Sequence, residues 1–137
     1  MNKENKTSQT TEPAIAVEPV LGTVLHLTLK KKWFDMIYSG IKKEEYRELN
    51  SYWGKRLTKL INFQYIDGME ELINDNRMFF KDFDFIHFYN GGSPCLKYPN
   101  FRIECKGIDI GKAIAEWSDN LQGKTFRLKL GAILHIA

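Results

Sequence analysis

Gly40 divides the stretch that most restricts how this chain can fold. Before it, Lys32-Trp33-Phe34-Asp35-Met36-Ile37-Tyr38 is amphipathic, with Trp33 and Ile37 one helical turn apart and Phe34 and Tyr38 likewise. After it, Ile41-Lys42-Lys43-Glu44-Glu45-Tyr46-Arg47 sets both charge signs among aromatics, ahead of Asn50-Ser51-Tyr52-Trp53. Glycine at that point suits a left-handed helix cap. A solvated loop has no need of Lys, Glu and Arg so tightly placed between rings; a polar pocket beside a hydrophobic core does.

The pattern around this stretch predicts a mixed α+β domain. Leu25, Leu27 and Leu29 alternate with Val24, His26 and Thr28, as in a strand with one apolar face. A helix follows over 31–39, then a short strand over 43–49. Asn50 suits an N-cap for a helix over 51–61, with Tyr52, Trp53, Leu57, Leu60 and Ile61 on an apolar face and Lys55, Arg56 and Lys59 on a basic one. A further helix is expected within 69–74. Phe83 to Tyr89 is apolar on both faces, as in a central barrel strand. Phe101, Ile103 and Cys105, then Phe126, Leu128 and Leu130, alternate with charged residues, and Ile133 to Ile136 extends the last strand. A short helix near 111–117 is expected between the last two strands. The sum is a small mixed β-barrel with helices flanking a cleft.

At 137 residues one core is feasible, not two. Residues 1–20 are polar and read as a flexible tail, with the domain over 21–137. A net charge of +3 permits phosphate contact without demanding it. Cys95 and Cys105 are too few for a disulfide scaffold and read as a loop thiol and a core thiol; no Cys-His spacing offers a metal site, and no cofactor is expected. No segment has the apolar length of a membrane helix, and the N-terminus lacks a signal-peptide core. Those features predict a cytoplasmic protein with no membrane contact and no obligatory protein partner.

Within the charged stretch, Lys42 is a candidate cation, Glu45 an acceptor or base, and Arg47 a planar donor fork for phosphates or base edges. The same residues also read as a solvated strand of paired charges, which sequence physics alone favours. Trp33, Tyr46, Tyr52 and Trp53 are candidate stacking surfaces or core residues. Asn90-Gly91-Gly92-Ser93 is a turn that can also offer backbone N–H groups to a ligand, with the Asn90 amide toward the Lys42 cavity. His26, His87 and His135 lie in strand patterns and receive no catalytic role. Strict alternation puts Glu45 and Arg47 on one strand face and Lys42 on the other, so convergence of the three requires a bend just after Gly40.

Gly40-Ile41-Lys42-Lys43-Glu44-Glu45-Tyr46-Arg47 resembles the G-x-K-x-x-E-x-R signature of ASCH domains, in the PUA-like superfamily. Leu27-Thr28-Leu29-Lys30-Lys31-Lys32-Trp33-Phe34, Phe88-Tyr89-Asn90-Gly91-Gly92 and Phe126-Arg127-Leu128-Lys129-Leu130-Gly131 fit the same pattern, so the resemblance covers 24–136. It implies a β-barrel whose cleft binds RNA or a modified nucleobase. Lys42, Glu45, Tyr46, Arg47, Trp33, Asn90 and Gly91 are then the ligand-binding candidates. Some small members deacetylate 4-acetylcytidine with a Lys, a Thr and a Glu, and ribonuclease activity is also ascribed to the family. The family lysine falls on Lys42 and the threonine on Glu45, which removes that hydroxyl; Glu116 is the nearest candidate for the late carboxylate. If the chain is an enzyme, Lys42 and Glu45 are the catalytic candidates. A protein-interaction role, with the charged stretch merely structural, is the remaining expectation.

Overall fold

The computed structural model describes residues 22–76, 78–91, 97–119 and 123–134. The tail over 1–20, Cys95, Gly92, Ser93 and His135 lie outside the described residues, and the expectations made for them are not taken further. Strand β1 (Val24–Leu29) leads to helix α1 (Lys31–Tyr38), strand β2 (Glu44–Arg47) and helix α2 (Ser51–Leu57). Helix α3 (Glu70–Ile73), strand β3 (Phe85–Asn90) and strand β4 (Asn100–Lys112) follow, then a 3₁₀ turn at Ala115–Trp117 and strand β5 (Lys124–Leu134). The fold is mixed α+β around one five-stranded sheet, curled into a half-barrel, in the order β1-β3-β4-β5-β2. Among the described residues, only β1 and β3 run parallel. No helix of the described residues is long and apolar enough to cross a membrane.

The alternation of β1 is realised: Leu25, Leu27 and Leu29 are buried, while His26 faces out. They meet Trp33, Phe34 and Ile37 of α1 and the inner residues Ile86 and Phe88 of β3 in one core. Phe88, Phe126, Leu57, Ile86 and Leu128 have no exposed surface, so large rings fill the space inside the curl. The curl has a local cause in β4. Its pairing with β5 shifts register between Ile103 and Cys105 and again between Cys105 and Gly107. Gly107 takes φ +137°, a conformation side-chain-bearing residues avoid. Such bulges bend a strand and raise its twist. The first part of β4 therefore pairs with β3 and its whole later part with β5, around a corner.

Several boundaries differ from the sequence expectation. Helix α2 stops at Leu57, because Thr58 leaves the helix to bridge Phe80 and its hydroxyl donates back to the Gly54 carbonyl at 2.7 Å. Leu60 and Ile61 are consequently exposed instead of continuing an apolar face. Gly111 and Lys112 belong to β4, which leaves only one 3₁₀ turn where a helix over 111–117 was expected. Strand β2 begins at Glu44, one residue later than predicted, and that delay matters for the site.

Candidate functional site

The two outer strands of the sheet, β1 and β2, approach each other across the open side of the curl. Arg47 Nη2 donates to the Thr28 carbonyl across that seam at 3.2 Å. Beside the contact lies a cavity of about 220 Å³. Its walls include Trp33, Lys42, Glu45, Tyr46 and Arg47, five of the seven residues singled out from the sequence as ligand-binding candidates.

Lys42 reaches the cavity because the chain bends where the pattern required. Gly40 adopts φ +86°, and the amides of Ile41 and Lys42 both donate to the Met36 carbonyl at 3.0 Å. This double cap turns the chain before strand geometry begins at Glu44. Lys42 thus escapes the alternation that would have aimed it away from Glu45 and Arg47. Its side chain is 2% exposed, and Nζ lies 2.9 Å from Glu45 Oε1. The Arg47 guanidinium bonds the other carboxylate oxygen, Oε2. One buried carboxylate therefore stands between two cations.

The remaining contacts define the polarity of the recess. Lys42 Nζ donates to the Trp117 carbonyl and lies 4.1 Å from the centre of the Trp33 ring, a close cation–π contact. Burial pushes the Lys42 pKa down; the neighbouring Glu45 carboxylate opposes that shift, and Arg47 adds to it. Glu45 Oε1, 2.9 Å from the Lys42 ammonium, is ion-paired with it and has no further partner among the described residues. A carboxylate oxygen has two lone pairs, so Oε1 keeps room for a second donor brought by a ligand. Tyr46 is itself buried, with its hydroxyl donating to Glu44 at 2.7 Å and accepting from the Ile114 amide at 3.1 Å. Burial raises its pKa. Tyr46 is therefore a fixed wall, not an open stacking ring.

Two sequence candidates lie elsewhere. Asn90 and Gly91 end β3, where the Asn90 amide donates to Pro99 and the Gly91 amide to Leu29; neither residue is among the cavity walls. The Asn90 side chain is thus not among the cavity walls, although the strand register sets it beside Leu29, which is. Glu116 is exposed on the 3₁₀ turn and does not line the cavity either. The late carboxylate that does, beside Glu45, is Asp119, which accepts from Trp33 Nε1 at 3.0 Å and from Lys30 at 3.1 Å. The indole N–H, then Lys30, holds the Asp119 pKa below its ordinary value. Lys30, Ser118 and Asp119 were missed because contacts 86 to 89 residues apart leave no local spacing; the only hint was Trp117 beside polar residues.

His26 and His87 belong to a separate group on the outer face of the sheet. Arg102 Nε donates to His87 Nδ1 at 3.1 Å, and His87 Nε2 pairs with Asn100 Oδ1 at 2.8 Å, an arrangement that suits neutral imidazole. Burial lowers the pKa of both histidines. Among the described residues, no group of three or more His, Cys, Asp or Glu is placed to hold a metal ion. Comparison of the chain with protein-family models, curated proteins and solved structures finds no match.

Proposed function

We propose that this chain is an ASCH-like domain of the PUA-like superfamily that binds RNA or a modified nucleobase in the seam cavity. The observation that carries the reading is the buried Glu45 carboxylate at the cavity wall, with Oε2 bonded by Arg47 and Oε1 2.9 Å from Lys42 Nζ with no second donor among the described residues. A small turn of the Lys42 ammonium toward a ligand acceptor frees Oε1 to take an exocyclic amine. The pair then matches the adjacent acceptor and donor on one edge of a base. The volume supports a small occupant: about 220 Å³ is below the roughly 300–1,000 Å³ of sites for drug-sized ligands. Arg47 supplies a further planar donor edge.

The test is calorimetric titration with a panel of nucleosides, cytidine and 4-acetylcytidine included, and with single-stranded RNA. Lys42→Met and Arg47→Ala are each expected to lower affinity about tenfold or more, as loss of a charge-assisted hydrogen bond does. Circular dichroism should report a folded chain in both. Folded variants with unchanged affinity would remove the cavity as the site.

A hydrolase reading is favoured by one specific feature, the burial that makes the Lys42 ammonium easier to deprotonate beside Glu45. In that reading Lys42 and Glu45 activate a water that cleaves the amide of 4-acetylcytidine, releasing cytidine and acetate. Chromatography of the incubated nucleoside is expected to show cytidine with the wild type and none with Lys42→Met; absence of product from the wild type, with binding intact, leaves the binding function alone.

A further inference from the structure

Between the cavity and bulk solvent, cations and aromatic rings alternate. The Arg47 guanidinium, already bonded to Glu45 on the cavity side, lies 5.0 Å from the centre of the Trp53 ring. Trp53 meets Tyr52 edge to face at 4.9 Å, and Arg56 lies 5.5 Å from both ring centres. Tyr52 is 59% exposed.

The placement follows from how α2 is seated. Asn50 caps the helix by accepting from the Trp53 amide at 2.9 Å. On the opposite side Gly54 is pressed against Phe63, where a Cβ would fall 2.3 Å from that side chain. With that face sealed into the core, Tyr52 and Arg56, four residues apart, share the outward face. From Ser51 to Lys59 the chain carries Lys55, Arg56 and Lys59 and no acidic residue. An open ring among unopposed cations is the composition of a surface for single-stranded nucleic acid, where bases stack and phosphates pair with Arg and Lys. A base that fills the cavity leaves its sugar and phosphates at the mouth, next to this face.

We propose that the cavity ends a longer track, in which a single-stranded RNA places one base in the cavity and stacks its neighbour on Tyr52, with phosphates on Arg56 and Lys55. The proposal rests on the nucleobase reading of the cavity and adds the path of the strand outside it and the residues that hold it there. A free nucleoside then uses only part of the site.

The experiment compares a fluorescein-labelled single-stranded RNA decamer of mixed sequence, followed by anisotropy, with mononucleotides followed by calorimetry. Tyr52→Ala is expected to weaken decamer binding about tenfold, within the range of one lost base–aromatic stack. Arg56→Ala should weaken it severalfold and make the dependence on log salt shallower by about 0.7, one single-strand phosphate contact. Tyr52→Ala should leave mononucleotide affinity unchanged, because its side chain does not line the cavity. Unchanged decamer affinity in Tyr52→Ala, with mononucleotide binding intact and sensitive to Lys42→Met, would overturn the track and leave the cavity reading standing. Loss of both probes from the wild type would overturn both. Displacement of the decamer by polyglutamate at equal charge concentration would show an acidic-protein surface instead, and so also overturn the RNA track.

Discussion

Glu45→Gln is expected to lower the free energy of unfolding by about 3–5 kcal/mol, the cost of removing one partner from a buried ionic group. Glu45 is 5% exposed and Lys42 2% exposed, so water does not replace the lost charge. The ammonium and the guanidinium would then face each other across an amide. Exposed pairs in the same protein, such as Lys31 with Asp35, carry no comparable penalty because solvent screens them.

The same variant should reveal itself by its pH dependence. In the wild type, burial lowers the Lys42 pKa and Glu45 opposes that shift. Without the carboxylate the folded-state value falls further below the unfolded 10.5. Between the two values the unfolded chain binds more protons, so stability rises with pH. The deficit should thus be complete at neutral pH and shrink toward pH 10. Above pH 10 the raised Tyr46 pKa works the opposite way, since the folded chain keeps a proton that the unfolded chain loses, and the comparison belongs below that point. Adding Lys42→Met should recover part of the loss, by removing the uncompensated ammonium, with a coupling of about 1 kcal/mol or more. Urea denaturation of the four proteins measures all of this. A loss under about 1 kcal/mol for Glu45→Gln, flat with pH, would place these charges with ordinary surface pairs.

What could be read in the chain divides by the range of the interaction responsible. Strand β1, helix α1 and the cap at Gly40 rest on contacts within a few residues, and the spacing of Leu25, Leu27 and Leu29 or of Trp33 and Ile37 displays them directly. The need for a bend ahead of Glu45 was likewise visible, because alternation alone forbids the convergence that the charged stretch suggests. The early end of α2 was not, since it depends on Thr58 meeting Phe80, and nothing near Thr58 announces that partner. Strand β4 runs through Lys106 and Gly107, where polar residues and a glycine read as an end and are in fact a bulged corner. At the site, Lys42, Glu45 and Arg47 come from one segment and were found together. Asp119 joins them only through the turn after β4, which is why Glu116, nearer in pattern to a family carboxylate, was named in its place.

Trp33 tests whether the cavity wall and the core are one structure. Its ring is 6% exposed, packs among the core residues, covers the Lys42 ammonium and hands its N–H to Asp119. Trp33→Leu removes volume, the π-face and the donor together, and is expected to cost about 3–5 kcal/mol. Trp33→Phe keeps a π-face over Lys42 while losing some volume and the donor, and is expected to cost roughly 1–2 kcal/mol. Size alone also ranks these variants, so a second reading is needed: the Lys42 titration followed by side-chain NMR. A desolvated ammonium without its ring is harder to keep charged, so the Lys42 pKa should drop further in Trp33→Leu than in Trp33→Phe. Equal Lys42 titration in the two variants would mean that Trp33 fills space and nothing more. A difference would mean that the residue anchoring α1 to the core also sets the charge of the group that meets the ligand, so that the site cannot be weakened at this position without loosening the fold.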